Sequence, residues 1–436
     1  DQIGMNTSIA NPNNSTSPTT PPGGRGGVGS GSADGLADDL EAQKLLLSQI
    51  LPVGIMQLWF RSLESVLSLL RNHAGNDEVA KHVLFFLRRM VETIGTESLP
   101  YMAEAIPRLF DMARSSTQVN DAVLLVNQVI RKFSDRSIFC IDLNLNIIAT
   151  RCFSLLPPVT VPESQLMKSE DTREQYELFK TFLLFVQVLL THGLSSVVCQ
   201  NPVNVVSARK IIELVVQAGY GEFADSKQAF HVVRQCYGIL GSLADQLLGQ
   251  GGNDAVGMNR GMEKNGSDGG ISLSSFFRGL IMEHGGMLCF RSAMQCAVVV
   301  GGGVNITSPT GPGAGSGAGA GSGPGSGSGT GLGSGPGAAS GSGGRASSSS
   351  IAMGGSHASD LCNHPTFISV VRDNVILQRT LLKHCGMVFV ENLCRVVLAS
   401  LGCNAIVCEE YSIHLVRDDE VELQRVFSEL IRSRYR

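Results

Sequence analysis

The chain has 436 residues, with 34 Lys and Arg against 38 Asp and Glu, a formal net charge of -4 and 51 glycines. A slightly acidic chain cannot hold nucleic acid through bulk positive charge, so any such role must rest on basic residues gathered locally. No secretory pattern is present and no apolar run reaches the roughly 18 residues needed to span a bilayer, so no membrane insertion is expected.

Residues 1–35 are rich in Asn, Ser, Thr, Pro and Gly and are expected to be disordered, because such composition buries too little apolar surface to offset ordering entropy. Gly23-Gly24-Arg25-Gly26-Gly27 is a single RGG-like occurrence, too little for an RNA-binding arm. The sequence starts on Asp1 rather than on an initiator methionine, and is therefore expected to be a piece of a longer protein. Residues 36–248 then read as HEAT-like helical repeats. Between Asp77 and Leu156 one unit recurs four times: about twenty residues with an apolar helical stripe, then a short polar break. In the first unit Val79, Val83, Phe86, Leu87, Met90, Val91 and Ile94 share one face, Asn76 and Asp77 offer cap oxygens, and Gly95 stands where a left-handed residue ends a helix. Thr96 to Arg114 is expected to return antiparallel, with Pro100 in its first turn and Pro107 as a kink. The next pair is expected from about Val119 to Phe133 and from Ser134 to Leu156, stopped by Pro157 and Pro158.

Further helices are expected at about 170–192, 202–218 and 224–248. Residues 249–270 read as a flexible loop, 271–300 as helical, and 301–358 as a disordered Gly/Ser-rich insertion. The C-terminal part, 359–436, returns to helical repeats, with helices at 362–400 and 418–434. Period-two alternation is absent over useful lengths, and a spacing of roughly 40 residues per helix pair fits HEAT-like units better than tetratricopeptide or ankyrin ones. The expected fold is all-α, a HEAT-like α-α solenoid or superhelix interrupted by disordered segments.

Chemistry-bearing motifs are sparse. Eleven cysteines are scattered from Cys140 to Cys408 without a CxxC pair and read as reduced thiols inside helical stripes. Cys362 with His364, and Cys403 with Cys408, come nearest to metal-ligand spacing, but neither has a second half-site, so no metal is expected. Matches to G-x-S-x-G and G-x-G-x-x-G near 323–334 have Gly and Ser on both flanks instead of a strand and a helix. His82 and His384 fall on predicted helices without partners for catalysis, and no cofactor or enzymatic activity is expected. Basic residues do gather at the polar edges and ends of helices: Arg88 with Arg89, Arg131 with Lys132, Lys383, and Arg432, Arg434 and Arg436. A solvated face or a helix C-terminus complementing the macrodipole explains such groups equally well on pattern alone.

A family resemblance sharpens the reading. VLFFLRRMVETIGTESLPYMAEAIPRLF from Val83 to Phe110, LLVNQVIRKF at 124–133, YELFKTFLLFVQVLLTHGLSSVV at 176–198 and VELQRVFSELIRSRYR at 421–436 together resemble the C-terminal half of exportin-T, the tRNA exportins of the importin-β (karyopherin) family. That resemblance implies a nuclear export receptor for mature tRNA that works with GTP-bound Ran, shuttles between nucleus and cytoplasm, and meets nuclear pore proteins on the way. Ran would be held chiefly by N-terminal repeats that this chain lacks, and the chain would be the C-terminal arch. In such a receptor tRNA is read by shape and backbone, which makes Arg88, Arg89, Arg131, Lys132 and Lys383 the candidate phosphate contacts. A karyopherin with a protein cargo and a HEAT-repeat scaffold outside transport remain open.

Overall fold

A computed structural model describes residues 54, 57–59, 61–73, 76–249, 272–301, 361, 363–417 and 419–435. The expected disordered segment 1–35, residues 250–270 of the expected loop and residues 302–358 of the expected insertion lie outside the described residues. Asp1–Trp59 and Phe60–Arg436 form two separate compact units, and the stacked helices belong to the second.

After a helical stretch at 61–72, helix α1 (Asp77–Ile94) starts where the Asn76 side chain accepts hydrogen bonds from the N–H groups of Glu78 and Val79. Ala80, Val83, Leu84, Leu87, Met90 and Val91 form its buried face. Leu84 replaces the expected Phe86, which is half-buried, so the stripe is rotated slightly from the one read in sequence. The helix ends at Gly95, whose φ of 79° and ψ of -145° lie in a glycine-favoured region rather than in the left-handed helical one.

A single helix from Thr96 to Arg114 does not form. The chain first makes a 3-10 turn, Gly95–Ser98, in which the Ser98 hydroxyl donates to the Gly95 carbonyl at 2.6 Å, and only then α2 (Leu99–Met112). The same device follows α3 (Ser116–Phe133): a 3-10 turn, Ser134–Ser137, with the Ser137 hydroxyl donating to the Ser134 carbonyl at 2.6 Å, precedes α4 (Ile138–Phe153). Ser134 has φ 46° and ψ -124°, and among the described residues it is the one non-glycine with positive φ. Helices α5 (Glu170–Thr191), α6 (Val205–Gly219), α7 (Phe230–Leu247) and α8 (Leu273–Val300) come next, with one-turn helices at Glu163–Leu166 and Ser195–Cys199 that the sequence did not announce.

The region expected to be helical over 362–400 is helical in three successive pieces. Gly386, at φ 64°, separates α9 (Pro365–Cys385) from α10 (Met387–Asn392), which continues into a π-helical turn at Leu393–Leu398. Next comes α11 (Ala405–Val416), absent from the sequence reading because only Tyr411 and Leu415 of it are buried while Ile406 and Ile413 are exposed. Helix α12 (Glu420–Tyr435) closes the chain.

These helices pack in two rows. Odd-numbered helices stack on one another, α1 on α3, α3 on α5, α5 on α7 and α7 on α9, while α2, α4, α6 and α8 stack in a second row that α12 extends. Each helix thus buries its stripe against its hairpin partner and its row neighbours, as a solenoid requires. Polar ties fix the registers: the buried Asn144 amide donates to the carbonyls of Ala103 at 3.1 Å and Cys140 at 2.8 Å. Near the C-terminus, Tyr237 and Ser292 share a short hydrogen bond, Tyr411 donates to Gln378 at 2.7 Å, and the Phe290 ring stands edge-on to Phe427 at 4.9 Å. Close approach needs Gly286 on α8, because a Cβ there would stand 2.7 Å from Leu393 Cδ1 and 2.9 Å from Val397 Cγ2 on the π turn. The all-α, stacked-hairpin solenoid predicted from sequence is the fold observed, and the described residues contain no strand.

Candidate nucleic-acid interface

All five basic residues singled out in sequence stand on the odd-numbered row: Arg88 and Arg89 on α1, Arg131 and Lys132 on α3, and Lys383 on α9. They do so because the apolar positions of these helices turn toward their neighbours and leave the long charged side chains at the edges. Four of them already have partners. Arg88 Nη2 lies 3.4 Å from the main-chain oxygen of Asp121 and 3.9 Å from its carboxylate. Arg89 pairs with Glu92 at 2.9 Å, and Lys132 donates to the Glu92 carbonyl at 2.7 Å. Gln128 adds a bond to the Glu92 carboxylate at 3.2 Å, so Glu92 ties α1 to α3. Lys383 reaches Asp245 on α7 at 3.3 Å, sharing the oxygen with His384 at 2.8 Å.

Two carboxyls carry the imprint of this charge pattern. Burial pushes the Asp121 carboxyl above its ordinary value, with Arg88 and Lys81 pulling against it. Burial acts the same way on Asp245, but hydrogen bonds from His384 and Lys383, together with their charge, outweigh it and hold that carboxyl low.

Arg131 differs. It is exposed in the last turn of α3 and has neither a hydrogen bond nor an ion pair among the described residues. It lines a cleft of ≈ 340 Å³ between α3 and α5, together with Leu124, Asn127, Gln128, Lys132 and Leu184. Asn127 is 3% exposed, and both its amide nitrogen and its oxygen lack partners among the described residues. An amide left so costs about 1–3 kcal/mol, which makes it an unusual neighbour for a free guanidinium. Such a cleft offers a planar fork of donors to an anionic oxygen, beside a wall that can both donate and accept.

Two more clefts open along the same row. One, ≈ 470 Å³, lies between α1 and α3 and gathers Lys81, His82, Phe85 and Arg88 around Asp121, with Phe85 64% exposed. The other, ≈ 360 Å³, lies between α7 and α9, where Arg234 pairs with Asp373 at 2.6 Å and Asp245 forms part of the wall. The structure therefore sets four of the predicted residues on two adjacent clefts or their rim and Lys383 several helices away. The sequence reading missed Asn127, Phe85 and Arg234. Asn127 sits inside the apolar run LLVNQVI, where a lone amide passes for a tolerated core residue, and only the absence of partners distinguishes it.

A further cleft, ≈ 660 Å³, belongs to the other row, between α2 and α4, with Pro107 and Ile147 in its lining. It contains none of the five predicted residues. Among the described residues no three His, Cys, Asp or Glu side chains converge to hold a metal ion. His364 uses its Nδ1 to accept from the Thr366 N–H at 3.2 Å and so caps α9, while Cys362 lies outside the described residues. No helix among the described residues is long and apolar enough to cross a membrane.

The exportin-T family model matches residues 30–268. Similar proteins include the exportin-T of Arabidopsis thaliana, 30% identical over 144 residues, which is 33% of this chain and 14% of the plant protein. The exportin-T of Dictyostelium discoideum is 25% identical over 196 residues, 45% of this chain and 17% of its own length. That of Oryza sativa subsp. japonica is 25% identical over 175 residues, 40% of this chain and 17% of its own length. The matched stretch thus spans less than a fifth of these relatives. Arg88, Arg89, Arg131 and Lys132 fall inside the family match, and Lys383 falls outside it. With stacked helical hairpins among the described residues and a family match over more than half of the chain, the protein belongs to the exportin-T family.

Proposed function

We propose that this chain is the C-terminal arch of a nuclear export receptor that binds mature tRNA together with GTP-bound Ran and carries it through the nuclear pore. Ran would be engaged mainly by repeats N-terminal to this chain, and the protein would shuttle between nucleus and cytoplasm. No bond is made or broken by the receptor; loading and release follow from differential affinity for its conformations. The observation that carries the reading is Arg131, an unpaired guanidinium on a cleft between two stacked helices inside the family match. Arg88, Arg89, Lys132 and Lys383 support it as phosphate contacts that must first exchange a carboxylate or carbonyl partner. Exposed ion pairs contribute only about 0–1 kcal/mol, so that exchange costs little. Pore passage requires apolar contacts as well, and the exposed Phe139, Leu143 and Ile147 on α4 offer a surface for them.

The test is binding of labelled mature tRNA to the full-length receptor with GTP-bound Ran, across a salt series, for wild type and Arg131→Glu. Wild type should bind tRNA only with Ran present. The variant should bind several-fold more weakly, and the steepness of the log K against log salt plot should fall by about one phosphate contact. Unchanged affinity and slope would remove Arg131 from the interface. A protein cargo is the second reading, favoured by the mixed charge of the row, where Arg89 and Lys383 are paired with carboxylates. Ran binding without tRNA binding would select it.

A further inference from the structure

Six of the ten described cysteines are buried, and three of the four partly exposed ones, Cys394, Cys403 and Cys408, lie at the corner between α10 and α11. Two of these are placed reciprocally. Cys394 Sγ is 3.5 Å from the carbonyl oxygen of Cys408, and Cys408 Sγ is 3.8 Å from the carbonyl oxygen of Cys394. Each side chain therefore reaches the other residue's main chain, and both thiols occupy one gap between the π turn and the first turn of α11. A disulfide needs Cα atoms within about 7 Å and converging Cβ vectors, and the reciprocal reach of each Sγ to the other residue's carbonyl is the observation that points to such a pair. The local backbone favours the encounter: Cys394 sits in the π turn, a register often found at functional positions, and the connection is fixed by the Cys403 N–H bonding the Leu398 carbonyl at 2.9 Å. Asn404 caps α11 by accepting from the Val407 N–H at 2.9 Å, and its carbonyl accepts from the Cys408 N–H at 3.1 Å, so the backbone of Cys408 is fixed in the first turn of the helix.

We propose that Cys394 and Cys408 are a redox-sensitive thiol pair which a peroxide converts into an intramolecular disulfide, fastening the π turn of α10 to α11. The Cys408 thiolate attacks one peroxide oxygen, the O–O bond breaks, and hydroxide leaves, giving a sulfenic acid. The Cys394 thiolate then attacks that sulfur and displaces a second hydroxide as the S–S bond forms. The two thiol protons convert the two hydroxides to water, so two thiols are oxidised and one peroxide is reduced to two waters. Because α11 packs on both the π turn and α12, the bond would hold the C-terminal corner of the row as one piece. Burial, with a neighbouring thiol adding to it, holds both groups above the ordinary cysteine value, so the reaction should keep speeding up as pH rises through the ordinary thiol range and beyond it.

The experiment treats the full chain with hydrogen peroxide, blocks remaining thiols, digests with trypsin without reduction and reads cross-linked peptides by mass spectrometry. Cleavage after Arg395 separates Cys394 from Cys408. Cys385 travels with the first and Cys403 with the second, so fragmentation and variants assign the bond. The expected result is a 394–408 cross-link in wild type, C385S and C403S that falls at least tenfold in C394S and C408S. Recovery of both thiols alkylated on separate peptides would overturn the proposal, and so would a dominant bond through Cys403 or Cys385.

Discussion

The corners at Gly95–Ser98 and Ser134–Ser137 solve one problem with different residues. Both reverse the chain between stacked helices, both place a residue of positive φ at the end of the first helix, and both close with a serine hydroxyl donating 2.6 Å to the carbonyl three residues back. The first uses glycine at the strained position. The second uses Ser134, whose hydroxyl meets His192 Nδ1 at 3.3 Å. The shared part is thus the hydroxyl-to-carbonyl closure, whereas the strained residue is negotiable where a side-chain partner exists.

Breaking the first corner should have the largest effect. Gly95→Val puts a β-branched residue at φ 79°, where the nearest atom to a new Cβ is Glu97 Oε2 at 3.5 Å, so the loss of about 2–3 kcal/mol is backbone strain rather than collision. A lower denaturation midpoint checks it, and an unchanged one would mean the corner relaxes freely. Ser98→Ala and Ser137→Ala should each cost about 1–2 kcal/mol, since both hydroxyls are fully buried and each removal leaves a carbonyl short of its donor. A clear inequality between the two would show that the corners are alike in geometry but not in energy. The smallest effect belongs to Ser134→Gly, which relieves strain and loses the His192 contact, for a net change within about 0.5 kcal/mol of zero. Ser134→Ala loses the contact and keeps the strain, and should fall about 1 kcal/mol below the glycine variant.

The legible part of the fold was the part with clean periodicity. α1, α3, α5 and α7 each bury a continuous stripe, and the helix-pair spacing then dictates stacking. The 3-10 corners were absorbed into the helices expected from Thr96 and from Ser134, because Thr96 to Ser98 and Ser134 to Ser137 are polar and run straight into the helix that each one leads into. α11 was invisible because its exposed Ile406 and Ile413 blur the stripe that Tyr411 and Leu415 would define. At the candidate interface the charged residues were readable from their place at helix edges, but their company was not. Asp121 lies 33 residues from Arg88, and Asp245 lies 138 residues from Lys383. Nothing local in the sequence signals pairs that only row stacking creates. The freedom of Arg131 is likewise a property of what its neighbours on α5 do not supply.

The notch at Gly286 reaches beyond local packing. Leu393 and Val397 fill it from the π turn, the element that also carries Cys394. Positions 286, 393 and 397 are therefore coupled: a methyl added at 286 forces the Leu393 or Val397 side chain to give way, and shortening either of them should recover part of that cost. The notch thus makes the fit of α8 to the π turn a property of three positions taken together, readable as non-additivity in a double-mutant cycle.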